Sequence, residues 1–171
     1  ALEQMVLLSN GTIEFSENGK FKKNPDVVIG VFGEEPYAEI LGDLKDVSFT
    51  PTNPKFLSLL ESIDAQGIPI LSIFLSGRPL VVNKYINASD AFIASWLPGT
   101  AVEGIADVIF KKNNKINYDF SGKLSYSWPK SSDQAVLNYS DAEYDPLFPF
   151  GYGLTYESNF QLQTIQTDKV V

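Results

Sequence analysis

The feature that most constrains this chain is the run Val27-Val28-Ile29-Gly30-Val31-Phe32, closed by Gly33. It is continuous, rich in β-branched side chains and without polar alternation, which fits a strand of a parallel sheet buried on both faces. The run is expected at the centre of the sheet. Two more runs follow: Ile68 to Leu75, stopped by Ser76-Gly77-Arg78-Pro79, and Ala91 to Trp96, stopped by Leu97-Pro98-Gly99. Each strand ends at a Gly or Pro turn.

The segments between these runs read as helices. At about 53–66, Asn53 is placed to cap and Pro54 suits the first helical position. Phe56, Leu59, Leu60 and Ile63 recur at helical spacing before Gly67 ends the segment. Thr100 and Glu103 form a capping-box pair ahead of a second apolar stripe, Val102, Ile105, Ala106 and Ile109. The alternation predicts an α/β fold, a mostly parallel sheet flanked by helices with right-handed crossovers. Residues 4–8, followed by Asn10-Gly11, read as an edge strand or the end of a lost element. Beyond residue 111 come an Asn/Lys loop and a short strand around Lys123–Ser127. An aromatic, Pro- and Gly-rich stretch from Tyr144 to Tyr156 is expected to wrap a surface or dock on a neighbour. The last residues, Gln161–Val171, read as a strand or linker, and the start at Ala1 reads as that of a fragment or processed piece.

Composition narrows the chemistry. With 171 residues, 44% of them apolar, the default is one domain with one sizeable core. The formal charge of −8, with lysines scattered among acids, offers no basic stripe for nucleic acid or an anionic membrane. No apolar run approaches the roughly 18 residues that a spanning helix needs. The chain has no Cys and no His. It therefore lacks a thiolate or imidazole metal site, a Cys nucleophile and the imidazole base that usually activates a serine. Any chemistry falls to carboxylates. The sequons at Asn10, Asn87 and Asn138 are short enough to arise by chance.

Ligands of an open α/β sheet bind outside the carboxyl ends of the strands, so the turns after Phe32, Leu75 and Trp96 are expected side by side on one rim. The first turn, Gly33-Glu34-Glu35-Pro36-Tyr37-Ala38-Glu39, places three carboxylates within seven residues and has no basic residue before Lys45. Such crowding is expected to favour a protonated carboxyl, the state a general acid needs. Acidic turn residues are also common as solvated surface, so spacing alone leaves both readings open. Arg78 could orient a carboxylate, although an Arg in such a turn more often pairs with a structural acid or caps carbonyls; Asp43 and Lys45 read similarly. Tyr37, Trp96 and Trp128 offer rings on which the flat apolar face of a ligand could stack, with core or interface packing the stronger reading for Trp96. Phe148, Phe150, Tyr152 and Tyr156 read better as a hydrophobic clasp.

The ordered set of turns is more specific. The stretches VVIGVFGEEPYAEILGD, GIPILSIFLSGRPL, DAFIASWLPGTAVEGIADVIF, GKLSYSWP and YDPLFPFGYGLTY resemble, in this order, the second-domain motifs of glycoside hydrolase family 3 over roughly residues 26 to 156. They are most similar to the plant-type and bacterial exo-β-glucanase branch.

That resemblance implies an α/β sandwich working beside an amino-terminal (β/α)₈-type barrel that bears an Asp nucleophile. Residues 1–160 are then one sandwich domain lacking its first strand and helix, 161–171 a tail, and the barrel lies outside this chain. The Glu directly after the Gly of a GE-x-PY motif is the acid/base in that branch, which is Glu34 here. Glu35, Tyr37 and Arg78 are then substrate or supporting residues, with Glu35 the weaker candidate for catalysis. The resemblance further implies a retaining hydrolase acting on β-glucans or cello-oligosaccharides, without metal or organic cofactor, in the periplasm or outside the cell. The alternatives are a β-xyloside or N-acetylglucosaminide substrate, or a domain that only binds carbohydrate or supports the barrel.

Overall fold

A computed structural model describes residues 1–167 of the protein. Helix α1 spans Leu2–Leu8, strand β1 Val28–Gly33, helix α2 Phe56–Asp64, strand β2 Ile70–Leu75 and helix α3 Asn83–Asn87. Strand β3 (Ala91–Trp96) and helix α4 (Glu103–Ile109) follow, then the short strands β4 (Lys111–Lys112) and β5 (Lys115–Ile116). Strands β1, β2 and β3 form a parallel sheet in that order, with Gly33 opposite Leu75 and, past a bulge, Leu75 opposite Trp96. The fold is an α/β sandwich.

Alternate strand residues face opposite layers. On one face, Phe32 and Phe74 meet Phe49, Phe56, Tyr85 and Phe92, with ring centroids between 4.9 and 6.3 Å. Leu60 and Ile63 of α2 complete this core. Gly30 lets α2 sit close, because a Cβ there would lie 3.2 Å from a Leu60 methyl and 3.3 Å from the Phe56 ring. On the other face, Val31, Ile73 and Leu75 line a groove of about 550 Å³ together with Leu2, Ile13, Phe15, Val102 and Ile105. That layer is thin: Val31 is 48% exposed and Phe15 85%.

Several expectations are corrected here. The centre of the sheet is β2, and β1 is an edge whose second face is half open. A continuous apolar run records that both faces are apolar; it does not record whether this chain covers them. Residues 4–8 belong to a helix, not a strand. A run of five cannot reveal its period, and with no partner strand beside it the backbone bonds locally, ending with the Ser9 and Gly11 N–H groups donating to Met5 and Val6. Helix α2 begins two residues after the Pro54 expected to open it, because Asn53 Oδ1 accepts the Lys55 N–H and closes a turn ahead of it. The capping box of α4 is not formed: no side chain caps that helix, and Ala106 is its only buried residue. The short helix α3 was not anticipated.

The segment expected as a strand at 123–127 instead runs beside the aromatic stretch. Leu124 and Tyr152 bond through the backbone, and Trp128 pairs antiparallel with Phe148. Two of the five quoted motifs therefore meet in space, and Trp128 is buried against Phe74 and Trp96. Phe148 and Tyr152 stack at 4.6 Å, as a clasp should, whereas Phe150 and Tyr156 remain about half exposed. Residues 161–167 form no strand. They are tied to α3 by the Asn87 side chain, which bonds both backbone groups of the buried Ile165, and by Asn83, which donates to Gln166. Residues 168–171 of the expected tail lie outside the described residues.

Candidate active site

Parallel pairing brings the ends of β1, β2 and β3 to one rim, as expected. The close approach of β1 and β2 there requires Gly33, because a Cβ at that position would fall on the carbonyl oxygen of Leu75 and 2.9 Å from its Cβ. The same carbonyl accepts the Glu34 N–H at 2.9 Å, so the ladder fixes the backbone of Glu34 one residue past the strand.

Three donors hold the Glu34 side chain. Arg78 donates to Oε1 from Nε at 2.9 Å and from Nη2 at 2.5 Å, and Ser76 Oγ lies 2.9 Å from Oε2. The carboxylate is 13% exposed and the Arg78 side chain 21%, so this charge-assisted pair is largely withdrawn from solvent. Arg78 is itself anchored on the loop after β1. Its Nη1 donates to the Gly42 carbonyl at 2.6 Å, and its guanidinium carbon lies 4.2 Å from the centroid of the Tyr37 ring.

The Tyr37 ring occupies a slot that two glycines leave open. A Cβ on Gly42 would reach within 2.6 Å of Cδ2, and one on Gly77 would overlap the hydroxyl. Ser76 is buried at 2% exposure, and its N–H donates to the Trp96 carbonyl, which ties the turn after β2 to β3. The turns after β1 and β2, the second braced on the last residue of β3, thus hold one carboxyl group.

Of the expected site residues, Glu34, Tyr37 and Arg78 come together. Glu35 does not join them: it is exposed, and Oε1 accepts from Thr52 at 2.6 Å. Glu39, Asp43 and Lys45 are also exposed. The crowd of carboxylates expected from spacing is therefore dispersed, and the charge facing Glu34 is a guanidinium supplied from 44 residues away. Trp96 stays in the packing role, beside Trp128.

Ser76 was missed. Its signal lay in Ser76-Gly77-Arg78, a sequence able to fold into a turn in which the serine hydroxyl meets the N–H two residues on, as it does here at 3.2 Å. Ile40, Leu41 and Leu44, which flank Gly42 in sequence, and Leu97, beside Gly77, are exposed apolar side chains. Two grooves in the chain, of about 530 and 550 Å³, are lined by other residues, so neither encloses Glu34.

Comparison with known proteins places these observations. A family model described as the glycosyl hydrolase family 3 C-terminal domain matches residues 5–156. The periplasmic beta-glucosidase of Salmonella typhimurium is 31% identical over 156 residues, which is 78% of this chain and 20% of that protein. A beta-xylosidase of Formosa agariphila is 28% identical over 170 residues, covering 90% of this chain and 22% of its own. Among solved structures, the exo-1,3/1,4-beta-glucanase of a Pseudoalteromonas species superposes with a TM-score of 0.92 at 50% identity, over 97% of this chain and 21% of that one. The chain spans about a fifth of the length of these relatives.

Proposed function

The chain belongs to glycoside hydrolase family 3, as its C-terminal domain, and from that premise we propose that it supplies the general acid/base, Glu34, of a retaining β-glucosidase or exo-β-glucanase. The observation that carries the proposal is the placement of Glu34 at the strand-end rim, with both carboxyl oxygens held by partners from the next strand's turn. A solvated turn acid has no need of a buried serine and an arginine braced on a tyrosine ring.

A retaining hydrolase uses two carboxyl groups about 5–5.5 Å apart across the glycosidic bond. In the first step a nucleophilic carboxylate attacks the anomeric carbon while Glu34, protonated, gives its proton to the departing glycosidic oxygen. In the second step water attacks the glycosyl-enzyme, Glu34 takes the proton of that water, and the nucleophile leaves with configuration retained. The nucleophile belongs to an amino-terminal barrel outside this chain. The exposed apolar side chains of Ile40, Leu41, Leu44 and Leu97 suit contact with that barrel, which would also wall the site that neither groove of this chain encloses. The chain alone is inactive on this reading.

The substrate is a terminal β-glucosyl residue of a β-glucan or cello-oligosaccharide, in keeping with the 50% identity to an exo-1,3/1,4-beta-glucanase. A β-xyloside is the second reading, favoured by the relatives named as beta-xylosidases. A periplasmic or extracellular site fits the relative named as periplasmic.

The test replaces Glu34 with Ala in the full-length protein and compares aryl glucosides of differing leaving-group quality. Loss is expected to be about 10²-fold or more on poor leaving groups and slight on dinitrophenyl glucoside in the glycosylation step, with azide restoring turnover as the glycosyl azide. A loss equal on all substrates and insensitive to azide would leave Glu34 a supporting residue and refute the proposal.

A further inference from the structure

Resting on the reading of Glu34 as the acid/base, the hydrogen bonds around its carboxyl lead one step further. Ser76 Oγ lies 2.9 Å from Glu34 Oε2, 2.8 Å from the Arg78 carbonyl oxygen and 3.2 Å from the Arg78 nitrogen, which donates to it. A serine hydroxyl has one hydrogen to give and two lone pairs to offer. With Glu34 ionised, that hydrogen must be divided between two acceptors, Oε2 and the Arg78 carbonyl. With Glu34 protonated on Oε2, every position is filled. The acid donates to Oγ, the Arg78 N–H donates to Oγ, and Oγ–H donates to the Arg78 carbonyl. On Oε1 the proton has no such place, because Arg78 Nε and Nη2 already point donors at that oxygen.

We infer that Ser76 is a positioning residue that serves Glu34 in both protonation states, by rotation of its hydroxyl, and that holds the exchangeable proton on Oε2. In glycosylation the Oε2–H turns from Ser76 Oγ to the leaving oxygen, and the bond breaks as that oxygen gains the proton and the anomeric carbon exchanges its glycosidic oxygen for the nucleophile. The Ser76 hydrogen then turns from the Arg78 carbonyl to the carboxylate. In deglycosylation water bonds to the anomeric carbon, its proton returns to Oε2, the nucleophile is released, and the Ser76 hydrogen turns back. Burial at 2% exposure keeps solvent from substituting for the hydroxyl.

The experiment uses the full-length enzyme and four forms: wild type, Ser76→Ala, Glu34→Gln and the double variant. The kcat/KM is measured for dinitrophenyl glucoside, which needs no acid, and for an alkyl or unactivated aryl glucoside, which does. Ser76→Ala is expected to lose about tenfold on the poor leaving group, part of the acid/base contribution, and much less on dinitrophenyl glucoside, whose turnover also reports that the enzyme is folded. In the Glu34→Gln background the same change is expected to have no further effect. If Ser76→Ala loses equally on both substrates, or on neither, or if its effect is undiminished without Glu34, the inference is overturned. If Glu34→Gln itself spares the poor leaving group, it is the acid/base reading that fails. Should Ser76→Ala not fold, Ser76→Cys keeps a weak donor and acceptor in similar volume. It is read the same way, with a loss on the poor leaving group between those of wild type and Glu34→Gln.

Discussion

Replacing Gly33 with alanine adds one methyl group and no chemistry, yet the structure places that methyl on the Leu75 carbonyl oxygen and 2.9 Å from Leu75 Cβ. Neither neighbour is free to yield. Leu75 is paired on both sides, to Gly33 in β1 and Trp96 in β3, so relief must come from parting β1 and β2 at their carboxyl ends. Overpacking of this kind costs about 1–3 kcal/mol. The separation also weakens the Glu34 N–H to Leu75 bond, 2.9 Å long, worth about 1 kcal/mol. The sum, about 2–4 kcal/mol, corresponds to a fall in midpoint of about 4–16 °C for a chain of this size. Thermal unfolding of the isolated chain by circular dichroism measures it. The displacement also moves the carboxyl group by some tenths of an ångström, so Gly33→Ala in the full-length enzyme should lose more activity on poor than on good leaving groups. A midpoint unchanged within a degree, or a loss indifferent to the leaving group, would refute the idea that this strand approach aims Glu34.

Two other outcomes follow from packing around the same rim. Glu34→Ala strips the acceptor from an Arg78 that is 21% exposed and should destabilise the chain by about 1–3 kcal/mol. In Glu34→Gln the amide oxygen still faces Arg78 and the amide nitrogen donates to Ser76 as the protonated acid would, so the cost should stay below about 1 kcal/mol, as urea unfolding can test. In the core, burial pushes the Tyr85 hydroxyl above its ordinary value of 10.0. Its neutral form is favoured by folding, so the stability it contributes is intact below pH 10 and lost as pH rises through the folded value. Tyr85→Phe should flatten that alkaline decline in unfolding midpoints, leaving the part due to Tyr152 and Tyr156, whose hydroxyls burial also raises.

How much was legible in the sequence depended on the range of the interaction concerned. Strand β3 has the bounds expected of it and β2 loses two residues at its start, because apolar content and the turns that stop a strand are local properties. Helix α2 lies where its apolar periodicity placed it, trimmed where the Asn53 side chain captures a backbone N–H. Helix α3 was not seen: only five residues long, it is held by Tyr85 and Ile86 packing into the core and by asparagines reaching residues 130, 165 and 166. The order of the strands was misjudged for the same reason, since pairing is decided between segments some 40 residues apart.

The sequence by itself determined the α/β class and the three turns that would share a rim, and its family resemblance pointed to Glu34 among three neighbouring acids. Only the tertiary structure decided what surrounds that acid. Glu35 and Glu39 turn to solvent, while Arg78 and Ser76, 44 and 42 residues further along, close on the carboxyl from the next strand. Parallel pairing sets the ends of distant strands side by side, and a carboxyl group senses charges within a few ångströms whatever their distance along the chain.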